Sequence, residues 1–412
     1  MTAEEPSTVN SAPLGLSTTS LDPGFRENPH EILDRLREEG PVIRDEMLGR
    51  FIVTRAEDVE AVLRDRDLCV DPRKAPEGSL MRMIGRRREE SDVEPSMLFL
   101  DPPDHDRLRG LVNKAFTPKA VDAMGPRIQE ITDELLDKLK GREQFDLIAD
   151  FSAPLPTIVI AEMLGIDPGD QKQFKVWSDI VVQGFNPFLS DEVRQQIQQA
   201  SDEMGAYLRR AIEARRRDRH DDLISGMIAA EENGEQMSDD EIVTMVGLLL
   251  GAGNLTTTDL IGNGVLAFMQ NRDQWERLQA HPELLQNAVE EMLRYDPPVT
   301  QSGRLTLKEM EVGGCPVHAG SSLSPQLLAA NHDPEANPDP HRFDIGREEI
   351  HHVSFGGGRR YCLGAPLARL EAQIAIGTLN RRFPNLRMAT ETVVHRDIPT
   401  FRGLSALPVR HR

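Results

Sequence analysis

The run Phe355-Gly-Gly-Gly-Arg-Arg-Tyr-Cys362-Leu-Gly364-Ala-Pro366 concentrates more chemistry than any other stretch of the chain. Gly356 to Gly358 allow a tight turn and a close approach of backbone to a flat ligand. Cys362 sits just ahead of a helical pattern whose first turn holds Pro366, a residue suited to the first helical position. The unpaired N–H groups and positive potential of a helix start lower a thiol's pKa and favour the thiolate. A thiolate fixed beneath a metal macrocycle pushes electron density toward O–O cleavage. A lone cysteine is otherwise a buried structural residue, and Cys69 and Cys315 take that reading. A phosphate cradle fails here, because neither the G-x-G-x-x-G spacing nor a Lys-Ser/Thr ending is present.

Three further groupings carry charge or polarity in patterns that matter. His105 and Arg109 are four residues apart and share one face if helical. Two cationic donors on a face suit an anionic group, although a solvated helix face fits the spacing equally. Glu291 and Arg294 form an acid–base pair at i, i+3, a spacing that ordinarily gives a surface ion pair worth under ~1 kcal/mol. From Ile242 to Met269 the only charged side chain is Asp259. That stretch is long enough to span a bilayer. Its glycines, asparagines and successive threonines, with Ser238 and Glu241 at capping-box spacing ahead of it, favour a long helix through a protein core.

These residues need a frame. Amphipathic spacing predicts a helix over Glu31 to Glu38, short strands over Pro41 to Arg44 and Arg50 to Thr54, and a helix over Ala56 to Arg64. Residues 71–96 predict a mobile loop, and Pro103 to Gly234 predict mainly helix with proline breaks. Helical runs follow around Asp273 to Ala280 and Pro282 to Tyr295. A β-rich stretch covers 299–330, and a final helix runs from about Pro366 to Phe383. The expected architecture is mainly α with a minor β part, without repeats or a dividing linker. It forms a single large domain over residues 26–412 behind a disordered polar leader, residues 1–25.

Of 412 residues, 48 are Lys or Arg and 68 are Asp or Glu, giving a formal charge of −20. Such a field repels phosphate backbones and anionic lipid, so neither a nucleic-acid nor a membrane-surface partner is expected. Aromatic residues at 5% are too scarce for base-stacking platforms. Three cysteines without a CxxC pair exclude a disulfide scaffold and a cysteine-rich zinc site. The N-terminus lacks a basic region followed by an apolar one, which predicts a cytoplasmic protein.

With these motifs in place, the chain resembles the cytochrome P-450 superfamily in its soluble bacterial form, over roughly Pro29 to Val409. The resemblance implies a single-domain fold holding haem b (iron protoporphyrin IX) between the long central helix and the cysteine-loop helix. Cys362 would be the axial iron ligand, with Phe355, Gly356 and Gly364 against the cofactor. His105, Arg109, Arg304, His352 and Arg360 would hold its propionates. Glu291 and Arg294 would be buried and joined by Arg342 in a structural ion-pair triad. Leu250 to Thr257 looks like the oxygen-binding stretch, with Thr256 as the catalytic alcohol. The family usually places an acid just before that threonine, and here Leu255 stands there. Asp259, or water held by Asn254 and Thr256, is the expected substitute proton route; an Asp259 turned to solvent is the alternative.

Matching the family's recognition segments implies a pocket with Met81, Met83, Ile84, Val181, Phe185, Phe188, Leu250, Gly251, Val299 and Phe401, suited to an apolar small molecule. No dinucleotide or flavin motif appears, so electrons must come from outside. Resemblance implies a ferredoxin and its NAD(P)H-dependent reductase, with Arg359, Arg369, Lys114 and Lys119 as a basic docking rim on a monomer. The implied reaction is R–H + O₂ + 2 e⁻ + 2 H⁺ → R–OH + H₂O. Rival readings are a haem enzyme that uses peroxide or catalyses a rearrangement or dehydration, and a non-catalytic haem or ligand carrier.

Overall fold

The computed structural model describes residues 14–79, 81–83, 85, 94–167, 169–186, 189–232 and 234–411. The helices that frame the site are α1 (Pro29–Glu39), α2 (Asp104–Ala115), α3 (Gly125–Asp137), α4 (Pro154–Met163), α5 (Gln171–Val181), α6 (Asp191–Arg217), α7 (Asp239–Gln270), α8 (Leu285–Tyr295), α9 (Leu327–Asn331) and α10 (Ala365–Arg382). The strands used below are β1 (Val42–Asp45), β2 (Arg50–Val53), β3 (Gln144–Asp146), β4 (Arg304–Leu305), β5 (Ser322–Pro325), β6 (Arg387–Met388) and β7 (Pro408–Arg410).

The long apolar run becomes the single 32-residue helix α7. Its start is a capping box: the Glu241 N–H donates to Ser238 Oγ at 3.1 Å, and the Ser238 N–H donates to the Glu241 carboxylate at 2.8 Å. Being apolar nearly all round, it must be covered on most sides, and α4, α8 and α10 pack against it. Helix α10 starts with Pro366 in its first turn and closes with Arg381 and Arg382, which suit the negative potential of a helix end. Between them lies the main core, where Phe268 meets Trp275 and Phe343 edge-to-face with centroids 5.2 and 5.1 Å apart. Burying each such side chain contributes about 1.5–3 kcal/mol.

The β part is small. One sheet has the order β1-β2-β5-β4, with β2 and β5 parallel and the other pairs antiparallel. A second, β6-β7-β3, returns the chain end to residues before α4. Helices Pro29–Glu39 and Ala56–Arg64 and strands 42–45 and 50–53 fall where periodicity predicts them. No helix among the described residues is long and apolar enough to cross a membrane.

The expected leader of residues 1–25 is ordered in its second half. Residues 1–13 lie outside the described residues, but 14–25 are packed, with Thr18, Thr19, Ser20 and Phe25 buried. Hydrogen bonding makes the polar burial tolerable: Ser20 Oγ donates to the Phe401 carbonyl at 2.8 Å, and Arg50 Nη2 donates to Thr18 Oγ1 at 2.7 Å. Of the expected loop at 71–96, positions 80, 84 and 86–93 lie outside the described residues, and Pro72–Lys74 form a 3₁₀ turn.

Candidate active site

A cavity of about 890 Å³ lies between α7 and the start of α10, with β4, β5 and the turns at Val299 and Phe401 closing one side. Cys362 is on its wall, and the accessible surface of this residue faces the cavity. The loop that presents it closes through the Cys362 N–H, which donates to the Phe355 carbonyl at 2.9 Å. Gly356 and Gly358 adopt φ of 70° and 61°, the left-handed region where a side chain would be strained. A Cβ at Gly358 would also crowd the backbone of Leu63 and Arg64.

Burial pushes the Cys362 thiol up, while the Gly364 and Ala365 backbone N–H groups and the charges of Arg109 and Arg369 pull it down. Arg109 donates to the Tyr361 carbonyl at 2.7 Å, fixing it beside the loop. Arg369 lies 4.5 Å above the Phe355 ring and grips Glu290 through two bonds of 2.6 and 2.8 Å.

His105, Arg109, Arg304 and Arg360 share the cavity wall, which Arg50 and Arg194 also line. Arg360 is held by the Leu100 carbonyl at 2.5 Å and Asp101 at 2.9 Å. Arg304 donates only to Ser302 Oγ and the Gly303 carbonyl, at 3.1 and 2.8 Å, and among the described residues has no ion pair. Burial, then the neighbouring Arg360, lower its pKa to about 10. Burial likewise lowers His105, Arg109 and Arg360. The wall thus holds positive charge that the protein only partly compensates.

His352, the fifth expected donor, is not on this wall. Its Nε2 lies 2.9 Å from Glu290, already gripped by Arg369. Burial opposes ionisation of Glu290, but these two partners outweigh it and hold the carboxyl down at about 2. A ring so engaged supports the loop beneath Phe355 instead of meeting a carboxylate in the cavity.

The donor set as a whole is specific. A soft sulfur faces the centre, cations crowd one edge, and most of the remaining wall is apolar. These fit a flat apolar macrocycle that carries two carboxylates and takes a thiolate ligand.

On α7, Thr256 lines the cavity with Ala252, Gly253 and Thr257, and its Oγ1 donates to the Ala252 carbonyl at 2.6 Å. Asn254 and Asp259 do not line it. Asn254 Oδ1 accepts from Thr157 at 2.9 Å and its Nδ2 reaches Ser178 at 3.4 Å. Asp259 is fully buried, paired with Arg396 and pressed against the backbone of Gly403. The helical period explains Asn254, which stands about 200° around the helix from Thr256; Asp259 is only about 60° from Thr256, and it is the contacts with Arg396 and Gly403 that hold its carboxylate away from the wall. Leu255 is buried with Val182, Ile398 and Phe401.

The buried triad also differs from the expectation. Arg294 donates to Glu291 at 2.7 and 2.8 Å, with both side chains fully buried. The third member is Arg347, whose Nε lies 3.1 Å from Glu291. Arg342 contributes its carbonyl, which accepts from Arg294 and Arg347, while its side chain is 60% exposed and pairs with Asp344 at 3.4 Å.

Among the expected substrate contacts, Val299, Phe401 and Met81 line the cavity. Leu250 and Gly251 are buried on another face of α7, and Leu248 and Leu249 line in their place. Met83 is half-exposed and off the wall. Phe185 ends a 3₁₀ turn, with its side chain outside what is described, and Phe188 lies outside the described residues. Met97, Phe99 and Met245 are lining residues that the sequence reading missed. So is Glu371, the one carboxylate on the wall among the described residues, which burial pushes up to about 8. A glutamate in a helical stripe of alanines and leucines is the signal that could have found it. Of the expected docking rim, Arg369 is committed to Glu290, and Arg359 is 3.7 Å from Asp106.

The cytochrome P450 family model matches residues 6–408 of the chain. Cytochrome P450 107B1 of Saccharopolyspora erythraea is 42% identical, covering 95% of this chain and 97% of the relative. The 6-deoxyerythronolide B hydroxylase of the same organism is 36% identical over 91% of this chain and 94% of its own. The crystal structure of a myxobacterial cytochrome P450, CYP267B1, in complex with myristic acid superposes with a TM-score of 0.86 at 41% identity, covering 95% of this chain and 98% of that one.

Proposed function

The chain belongs to the cytochrome P450 family, and from that premise we propose that it hydroxylates an apolar small molecule using electrons from a ferredoxin and its NAD(P)H-dependent reductase. Membership itself makes it a single-domain, mostly helical haem-thiolate enzyme that incorporates oxygen, a monooxygenase. The observation that carries the reading is that Cys362 and Thr256 line one cavity.

In this reading the cofactor is haem b, and when bound it supplies oxygen activation. The chain's residues do the rest. Cys362 gives the thiolate, moderated by the N–H groups of Gly364 and Ala365. His105, Arg109, Arg304 and Arg360 orient the propionates. Thr256 offers a hydroxyl on the distal wall, and Val299, Phe401, Met81, Leu248 and Leu249 hold an apolar substrate and exclude water. The protein works as a cytoplasmic monomer, and Arg359, Lys114 and Lys119 form the partner-facing patch.

Absorbance of the reduced, carbon-monoxide-treated protein tests the core of this. The red-shifted Soret band of thiolate ligation is expected, and Cys362→Ser should abolish it. An unchanged band in that variant overturns the reading. A second reading, peroxide-driven oxidation, is favoured by the side chains of α7: Leu255, Asn254 and Asp259 put no acid beside Thr256. Turnover by peroxide alone, with none from ferredoxin, reductase and NAD(P)H, would select it.

A further inference from the structure

Off the cavity wall, three imidazoles meet. His30 lies in the first turn of α1, His332 directly follows α9, and His341 lies in the loop beyond. Their ring centroids are 4.1 Å (His30–His332), 5.3 Å (His30–His341) and 5.2 Å (His332–His341) apart. One ring nitrogen from each lies within 4.8 Å of the other two.

The outer hydrogen bonds fix how two of these rings face one another. His332 Nε2 donates to the Tyr295 carbonyl at 2.8 Å. His341 Nε2 lies 2.8 Å from the Asp34 carboxylate. With those N–H groups committed, the Nδ1 atoms of neutral His332 and His341 would present lone pairs to each other at 3.3 Å. Two lone pairs at that distance repel unless a cation sits between them. Four-coordinate zinc, with bonds of about 2.0–2.1 Å to imidazole, sets neighbouring ligand nitrogens about 3.3–3.4 Å apart, close to the separation found. A carboxylate and a backbone carbonyl that each hold the far nitrogen of a ring are also the usual outer partners of metal-bound histidine.

His30 completes the set. Its Nδ1 is buried without a hydrogen-bond partner among the described residues. Burial is the largest of the effects that hold His30 and His332 below the ordinary imidazole range, which keeps them in the neutral form a metal requires.

We propose that His30, His332 and His341 form a binding site for one divalent transition-metal ion of the imidazole-preferring kind, zinc foremost. His341 is 48% exposed in its side chain, so metal and a fourth ligand, water, enter from its side. The ion would tie α1 to the end of α9 and to the loop that receives Arg294. The Pro340 carbonyl, next to His341, accepts from Arg294 at 2.7 Å. Metal binding at this site therefore braces the segment around the buried Glu291–Arg294–Arg347 network.

The haem-loaded protein is equilibrated with zinc, dialysed against zinc-free buffer and analysed for metal per haem. The wild type is expected to keep one zinc more per chain than His341→Ala, and zinc should raise the thermal midpoint of the wild type and not that of His341→Ala. Asp34→Asn leaves all three rings and should weaken zinc binding about tenfold or more. His281→Ala, an exposed histidine paired with Glu283 elsewhere, should retain zinc like the wild type. An unaltered carbon monoxide spectrum in His341→Ala shows that its fold is intact. Equal zinc in wild type and His341→Ala, or an equal loss in His281→Ala, overturns the site. It would leave a second proton on His341, balanced by Asp34, as the cation between the rings.

Discussion

At the scale of single residues, type and spacing told much about the cysteine loop and less about its supports. The Phe-Gly-Gly-Gly…Cys run was legible because only a few residue types satisfy a tight turn, a thiolate and a helix start together. Arg342 and Arg347 were not separable in that way. They share one loop, and which of them reaches Glu291 depends on backbone hydrogen bonds that turn the Arg342 carbonyl inward and its side chain out. That distinction gives a paired prediction. Arg347→Ala removes a cation that is 11% exposed beside the fully buried Glu291, and leaving that acid short of a partner should cost about 3 kcal/mol. Arg342→Ala removes an exposed side chain and should shift stability by no more than about 0.5 kcal/mol. Chemical denaturation of the two haem-loaded variants measures both, and an equal loss would reject the assignment of Arg347 to the triad.

At the scale of elements, the sequence located α7 and α10 within a residue or two, because capping and apolar runs mark helix ends and buried length. Which residues of α7 face the cavity was harder, since one turn contains side chains that point to opposite neighbours. Asp259 is only three residues beyond Thr256, yet its carboxylate belongs to the contact of α7 with Arg396 and Gly403. Those contacts assign it a structural role. Asp259→Asn weakens the pairing with Arg396, itself mostly buried, and should lower the thermal midpoint. The fraction of electrons ending in hydroxylated product should stay as in the wild type. Thr256→Ala, on the lining stripe, should show the reverse: a wild-type midpoint with electrons diverted to peroxide. Midpoints and product-to-NAD(P)H ratios for both variants decide between a relay and a brace.

At the scale of the whole molecule, the main electrostatic contrast is internal. The chain carries a formal charge of −20, yet the active-site cavity gathers Arg304, Arg360, Arg109 and His105 along one wall. Composition alone could not reveal this, because the four come from α2, β4 and the cysteine loop and meet only when the sheet closes against the helices. Arg304 is the most buried arginine among them: it is 5% exposed, without an ion pair among the described residues, and lowered by burial and by Arg360. Such a charge destabilises the haem-free protein and stabilises the loaded one, so its removal should act in opposite directions on the two forms. In Arg304→Gln, the apoprotein should unfold at an equal or higher denaturant concentration than wild-type apoprotein, because a desolvated cation has gone. Haem transfer to an excess of a scavenging globin should become about tenfold faster or more, since a hydrogen bond to a charged group contributes about 1.5–3 kcal/mol and about 1.4 kcal/mol is a factor of ten. Lower apoprotein stability with unchanged haem loss would instead make Arg304 a packing residue of β4, and the anion-binding wall would lose its central member.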